Sequence, residues 1–159
     1  MANVAPQIAL IEYRLAVEFN YRMNIIVPNI SWGILEVGHE CDLLILRPSG
    51  YAAEIEIKRS LQDLKADAKK AHAHDSKIIR ELWFCVADDW PKEEVEVLVP
   101  KRAGIVTYSC DENCHILRWR YPEMNKCAQK FNEFQRYKLL HLAHMRIWKM
   151  KNQLARTKA

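Results

Sequence analysis

Apolar positions along the 159-residue chain follow two periodicities, which lay out an alternation of helices and strands. Ile8, Ile11, Leu15, Phe19 and Met23 recur at helical spacing and predict an amphipathic helix over residues 8 to 23. Two short apolar runs follow at residues 43 to 46 and 52 to 57. Between them, Arg47-Pro48-Ser49-Gly50-Tyr51 contains three turn formers, so the unit reads as a β-hairpin. Ser60-Leu61-Gln62-Asp63 is a capping box that opens a helix through about Ala71. Residues 81 to 87 read as a buried strand, and Pro91-Lys92-Glu93-Glu94 opens a short helix with proline in its first turn. Residues 104 to 108 and 115 to 121 form a later hairpin around Asp111-Glu112-Asn113. After Pro122 no Gly or Pro interrupts the chain as far as Ala155. Cys127, Phe131, Phe134, Tyr137, Leu140, His144 and Trp148 recur there at helical spacings and predict a long amphipathic helix.

The hairpin carries the chemistry. Side chains alternate along a strand, so Glu54, Glu56 and Lys58 leave one face while Ile55 and Ile57 enter the other. Three ionisable groups on a strand otherwise suited to the interior need partners, a metal or solvent. Asp42 opens the neighbouring strand and supplies a further carboxylate. Two carboxylates with a backbone carbonyl make a hard oxygen site suited to Mg²⁺ or Mn²⁺. Lys58 beside it can orient a nucleophile, help depress its pKa, or neutralise developing charge. On the spacing alone, the more ordinary reading is a solvated hairpin face bearing a Glu/Lys pair.

The surrounding residues change that weighing. The chain has His39-Glu40-Cys41-Asp42-Leu43-Leu44, then Gly50-Tyr51-Ala52-Ala53-Glu54-Ile55-Glu56-Ile57-Lys58, then Ser60 to His74 in the pattern S-x-x-DLxxD-x-KK-x-H-x-H. In these motifs it resembles the PD-(D/E)XK, or restriction-endonuclease-like, nuclease superfamily over most of residues 8 to 90, and in particular small phage- and prophage-type members. The resemblance implies an α/β fold with a restriction-endonuclease-like core, a central mixed β-sheet flanked by helices, and an active site at the edge of the sheet. It also implies Asp42, Glu56 and the Ile57 carbonyl as metal ligands, Lys58 as the catalytic lysine, and metal-dependent hydrolysis of DNA phosphodiester bonds in a phage, repair or recombination setting. Cys41 stands where the superfamily's name has proline. Glu54 is either a further ligand or a paired neighbour. The superfamily often places another glutamate on the first helix. Here Glu12 falls within the apolar stripe, whereas Glu18 lies at its edge beside Arg14 and Arg22. Glu12 is therefore the inward-facing candidate; its alternative is a core-edge carboxylate satisfied by a hydrogen bond.

Composition adds the partner. Half the residues are hydrophobic and only four are Gly, which suits one ordinary domain with its own core. Residues 1 to 121, the nuclease-like domain, hold 15 Lys+Arg and 18 Asp+Glu; residues 122 to 159, the helical tail, hold 9 and 2, so the tail is basic. Lys138 and Arg146 on that helix, with Lys69, Lys70, His72 and His74 at the end of the capping-box helix, are candidate DNA contacts. The bland alternatives are a solvated basic face, helix-dipole lysines and ordinary loop histidines. The tail is also able to pair with a second copy as a homodimer, or to dock a protein partner as an adaptor; a non-cleaving DNA-binding module of the same fold is the other alternative. Five cysteines without a secretion signal fit reduced thiols, and Cys110-x3-Cys114-His115 lacks the paired spacing of a zinc site. No apolar stretch is long enough to cross a bilayer, so a cytoplasmic protein with no membrane partner is expected.

Overall fold

Six strands join in one mixed sheet, β1-β2-β3-β4-β5-β6, with spatial order equal to chain order. The computed structural model describes residues 7–30, 40–69 and 76–156, which leaves Lys70, His72 and His74 outside the described residues. The elements are α1 (Ile8–Glu18), β1 (Ile25–Ile30), β2 (Cys41–Leu46), β3 (Ala52–Ile57), α2 (Leu61–Ala68), β4 (Ile79–Ala87), α3 (Lys92–Leu98), β5 (Gly104–Tyr108), β6 (Ile116–Arg120) and α4 (Glu133–Arg156). Neighbours β1/β2, β2/β3 and β5/β6 are antiparallel, whereas β3/β4 and β4/β5 are parallel. Parallel neighbours need a crossover, which α2 and α3 supply. This is an α/β fold.

Both faces of the sheet are covered. Leu43, Ile45, Ala53, Ile55, Ile57, Trp83 and Cys85 pack with Ile11, Leu15 and Phe19 of α1. On the opposite face, Leu44 and Leu46 meet Leu139 and Leu142 of α4, while Leu82, Phe84 and Val86 meet Leu64 of α2 and Val95 of α3. A strand in the middle of such a sandwich is buried on both sides, and every residue of β3 is buried.

Observed structure and pattern differ at four points. Helix α1 stops at Glu18, not Met23, because Asn20 turns into the left-handed region at φ 56° and Met23 is left exposed. Strand β1 was not anticipated: Pro28 within Ile25–Ile30 argues against a central strand, but β1 is an edge strand, where proline is tolerated. The C-terminal helix begins at Glu133, well after Pro122. Before it, the chain is held to the body by tertiary bonds that compete with helix: the N–H groups of Glu123, Asn125, Gln129 and Phe131 donate to the carbonyls of Arg102, Arg80, Lys77 and Gly50. Asn132 and Gln135 then cap α4 reciprocally, each side-chain oxygen accepting the other's backbone N–H. The buried side of α4 is also different from the expected stripe. Leu139 and Leu142 pack inward, whereas Phe134, Tyr137, Leu140 and Trp148 are exposed.

Candidate active site

The site forms where β2 and β3 part. Their pairing runs from Leu46↔Ala52 to Leu43↔Ile55 and goes no further. Beyond that point the Ile57 N–H donates to Asp42 Oδ2 at 2.8 Å. In an extended chain the N–H and C=O of one residue face the same neighbour, so the Ile57 carbonyl opens toward Asp42. The next residue is tied to the other side: the Lys58 N–H donates to the Cys85 carbonyl, and the Tyr108 hydroxyl donates to the Lys58 carbonyl at 3.4 Å. This fixes the backbone at which the Lys58 side chain leaves the strand.

Lys58 Nζ lies 3.1 Å from Glu56 Oε2 and 3.4 Å from Asp67 Oδ1, and 5.7 Å from the centre of the Phe84 ring. All three ionisable residues are buried. Burial pulls the Lys58 pKa down, but the charges of Glu56 and Asp67, with Asp42 behind them, outweigh it and leave the pKa raised. Lys58 is thus held as a cation. Glu54, fully buried, sits across from Leu44 on β2 and Leu82 on β4. A solvated hairpin face therefore does not describe this strand.

Asp42 and Glu12 meet from different elements. Burial pushes the Asp42 carboxyl up; the Ile57 N–H and Lys58 act against it, and Asp63 and Glu54 add to it, for a net rise. Burial likewise raises Glu12, opposed by the Asn29 amide that donates to its Oε1 at 3.3 Å; Asp42 raises it further and Arg146 lowers it. Arg146, from α4, donates to the Asn29 carbonyl. Asn29 itself has φ 54°. A cleft of about 230 Å³ opens here, lined by Asn29, Ile30, Glu40, Cys41, Asp42 and Arg146.

Of the residues singled out in the sequence, Asp42, Glu56, Ile57 and Lys58 thus come together at one end of the sheet, with Glu12 and Arg146 beside Asp42. Lys69 is the exposed C-cap of α2, and Lys138 lies with its ammonium 4.5 Å from the centre of the Phe134 ring; neither takes part in the bonds described above. Glu18 pairs with Arg118 of β6 at 2.8 Å, not with the arginines of its own helix. Asp67 and Asn29 were missed. Asp67 lies three residues after the buried Leu64, a helical spacing that places it on the inward side of α2, but its pairing with Lys58 depends on the crossover from β3 to β4. The five cysteines are free. Asp88, Asp89 and Cys110 bring ligand atoms within 4.8 Å of one another, yet both acids are exposed and the set is a mixed carboxylate and thiol group unlike a hard oxygen site.

Because the folded state holds the Asp42 proton more tightly than the ordinary 3.8, the metal-free protein loses stability as pH rises from that value through the folded one. Asp42→Asn removes the ionisation and keeps an oxygen able to accept the Ile57 N–H. We expect its Tm in EDTA at pH 7 to exceed that of the native protein, with the difference vanishing toward pH 4; a lower Tm at pH 7 would mean that the ionised carboxylate stabilises the fold.

No protein-family model and no curated protein matches this chain. Its fold is similar to the solved structure of a protein of unknown function from Silicibacter pomeroyi, at TM-score 0.59 and 19% identity over 92% of this chain and 89% of that one. Among the described residues no helix is long and apolar enough to cross a membrane.

Proposed function

We propose that this protein is a metal-dependent nuclease of the PD-(D/E)XK, restriction-endonuclease-like kind, hydrolysing phosphodiester bonds of DNA. One observation carries the reading: Glu56 and Lys58 are a buried ion pair, with the partly buried Asp42 bonded to the Ile57 N–H between them, at the parting of two core strands where a purely structural sheet would place apolar side chains. The mixed sheet flanked by helices, with the cluster at its end, supports it.

The donor set fits a hard divalent cation. Asp42, Glu56 and the Ile57 carbonyl are all oxygen donors, and partial burial leaves the Asp42 carboxylate short of the solvation its charge needs, a deficit a cation would offset. Mg²⁺ or Mn²⁺ held there would supply Lewis-acid stabilisation and acidify water. Lys58, kept charged by Glu56 and Asp67, presents a fixed ammonium where negative charge grows on the phosphate. Glu12, its carboxyl raised by burial and by Asp42, would share in proton or cation binding there. Arg146 sets a positive charge on the rim of the cleft, where it would meet substrate phosphate.

Asp67 is a positioning residue in this scheme. Replacing it with Asn removes one of the two anions that outweigh the burial of Lys58, so Lys58 would lose its proton at lower pH. For Asp67→Asn we expect the alkaline limb of cleavage to move to lower pH, so that the loss in rate grows as pH rises. A uniform loss with an unchanged pH profile would show that Asp67 serves only the packing.

Cleavage of labelled single-stranded, duplex and branched DNA with Mg²⁺, Mn²⁺ or EDTA tests the proposal. Cutting that requires the metal is expected. Failure to cut any of the three with either ion would overturn it.

A further inference from the structure

The outward side of α4 carries a row of rings. Tyr137 and His141 lie 6.1 Å apart and 14° from parallel, His141 and His144 6.3 Å and 26°, and His144 and Trp148 6.2 Å and 72°. At 100° per residue the four fall within an arc of about 60°, opposite the inward-facing Leu139 and Leu142, and span about 16 Å of the helix axis. Tyr137 is 66% exposed and Trp148 60%. Aromatic side chains left in water at this density need a reason.

Charge selects the occupant. Helix α4 has six Lys and Arg and one acid, Glu133 at its first position, so from Phe134 to Arg156 there is no carboxylate. A second copy of the same helix would set like charges side by side. A bilayer would have to take up His141 and His144 at the centre of the face. An acidic peptide would answer the lysines but has no particular use for a row of rings. A polyanion whose repeating unit also carries a flat π-face answers both, because bases stack on aromatic side chains while phosphates meet cations. Lys138 and Lys151 already lie near the rings, 4.5 Å from the centre of Phe134 and 5.8 Å from that of Trp148.

We infer that the outer face of α4 is a binding platform for single-stranded nucleic acid, with bases on the row from Tyr137 to Trp148 and phosphates against Lys138, Lys149 and Lys151. It shares with the proposed function only the polyanionic partner. It lies on the opposite side of the helix from Arg146 and the cleft, and it needs no metal.

The test is fluorescence anisotropy of a labelled oligothymidylate in EDTA, titrated with the full chain. The native protein is expected to bind, with an affinity that falls as salt rises. Tyr137→Ala with Trp148→Ala is expected to weaken binding by about tenfold for each ring, and Tyr137→Phe with Trp148→Phe to restore most of it. Since both side chains are exposed, the circular dichroism spectrum should not change. No binding by the native protein, or equal binding after both rings are removed, would overturn the inference; so would displacement by polyglutamate or by anionic vesicles as effective as displacement by unlabelled oligothymidylate. The assay contains EDTA and no divalent ion, so it reads the platform apart from metal-dependent cleavage. A failed cleavage assay therefore leaves the platform standing, and a failed binding assay leaves the cleft untouched.

Discussion

Lys58→Ala and Asp42→Asn are each expected to reduce metal-dependent DNA cleavage by about two to three orders of magnitude, the loss seen when one fixed charge-stabilising group is removed from an active site. The two variants fail for different reasons, and their stabilities should show it. Lys58 is the cation between Glu56 and Asp67, so its loss leaves two buried acids facing each other, at a cost on the order of 3 kcal/mol if both stay ionised. Lys58→Ala should therefore be both inactive and less stable, and its rate has to be measured well below its own Tm. Asp42→Asn keeps the hydrogen-bond geometry to Ile57 and sheds a charge that the fold tolerates poorly. An inactive protein of higher Tm in EDTA is the expected pairing. It would separate a carboxylate kept for chemistry from one kept for structure.

The largest stability effect is expected at Trp83, remote in role from the chemistry. Trp83 is buried at the centre of the sheet, with Phe19 of α1 edge-on at 5.3 Å and Tyr121 at 5.9 Å. Its indole N–H donates to Glu81 Oε2 at 3.2 Å, and Glu81 in turn accepts two bonds from Arg47 at 2.8 and 2.7 Å. Trp83→Ala should cost about 3–5 kcal/mol, a drop in Tm of about 10 °C or more for a chain this long. The same ring explains Gly104: a Cβ there would come within 2.5 Å of Trp83 Cε3, so Gly104→Ala is expected to destabilise as well. Thermal unfolding by circular dichroism reads both variants; an unchanged Tm for Trp83→Ala would mean that the sheet repacks around the missing ring.

What could be read in advance follows from the range of the interactions. Asp42, Glu56 and Lys58 belong to one hairpin, and a register that ends at Leu43↔Ile55 brings Asp42 and the Glu56-Ile57-Lys58 segment to the same end of it by local geometry. That grouping is visible in the spacing. Strand β1 is not, because Pro28 and Asn29 weaken its local signal and its place is set by pairing with β2. In α4 the periodicity identified a helix but named the wrong side. Its sequence has two apolar faces, and the one that packs is the aliphatic Leu139/Leu142 side that fits against Leu44 and Leu46, while the larger aromatic stripe faces water. Glu12 was picked out by its angle in the α1 stripe, but its neighbours Asn29 and Arg146 come from a strand and a helix distant in the chain. Asp67 was missed: it lies at helical spacing after the buried Leu64, but the crossover from β3 to β4 alone gives it Lys58.

The most direct measurement is calorimetric titration of the native protein and of Asp42→Asn with Mn²⁺, which needs no knowledge of the substrate. Binding to the native protein that is lost in the variant is the expected result, with Glu56→Gln weakening it in turn. Equal binding by native protein and Asp42→Asn, or no binding by either, would contradict a metal centre at the parting of β2 and β3.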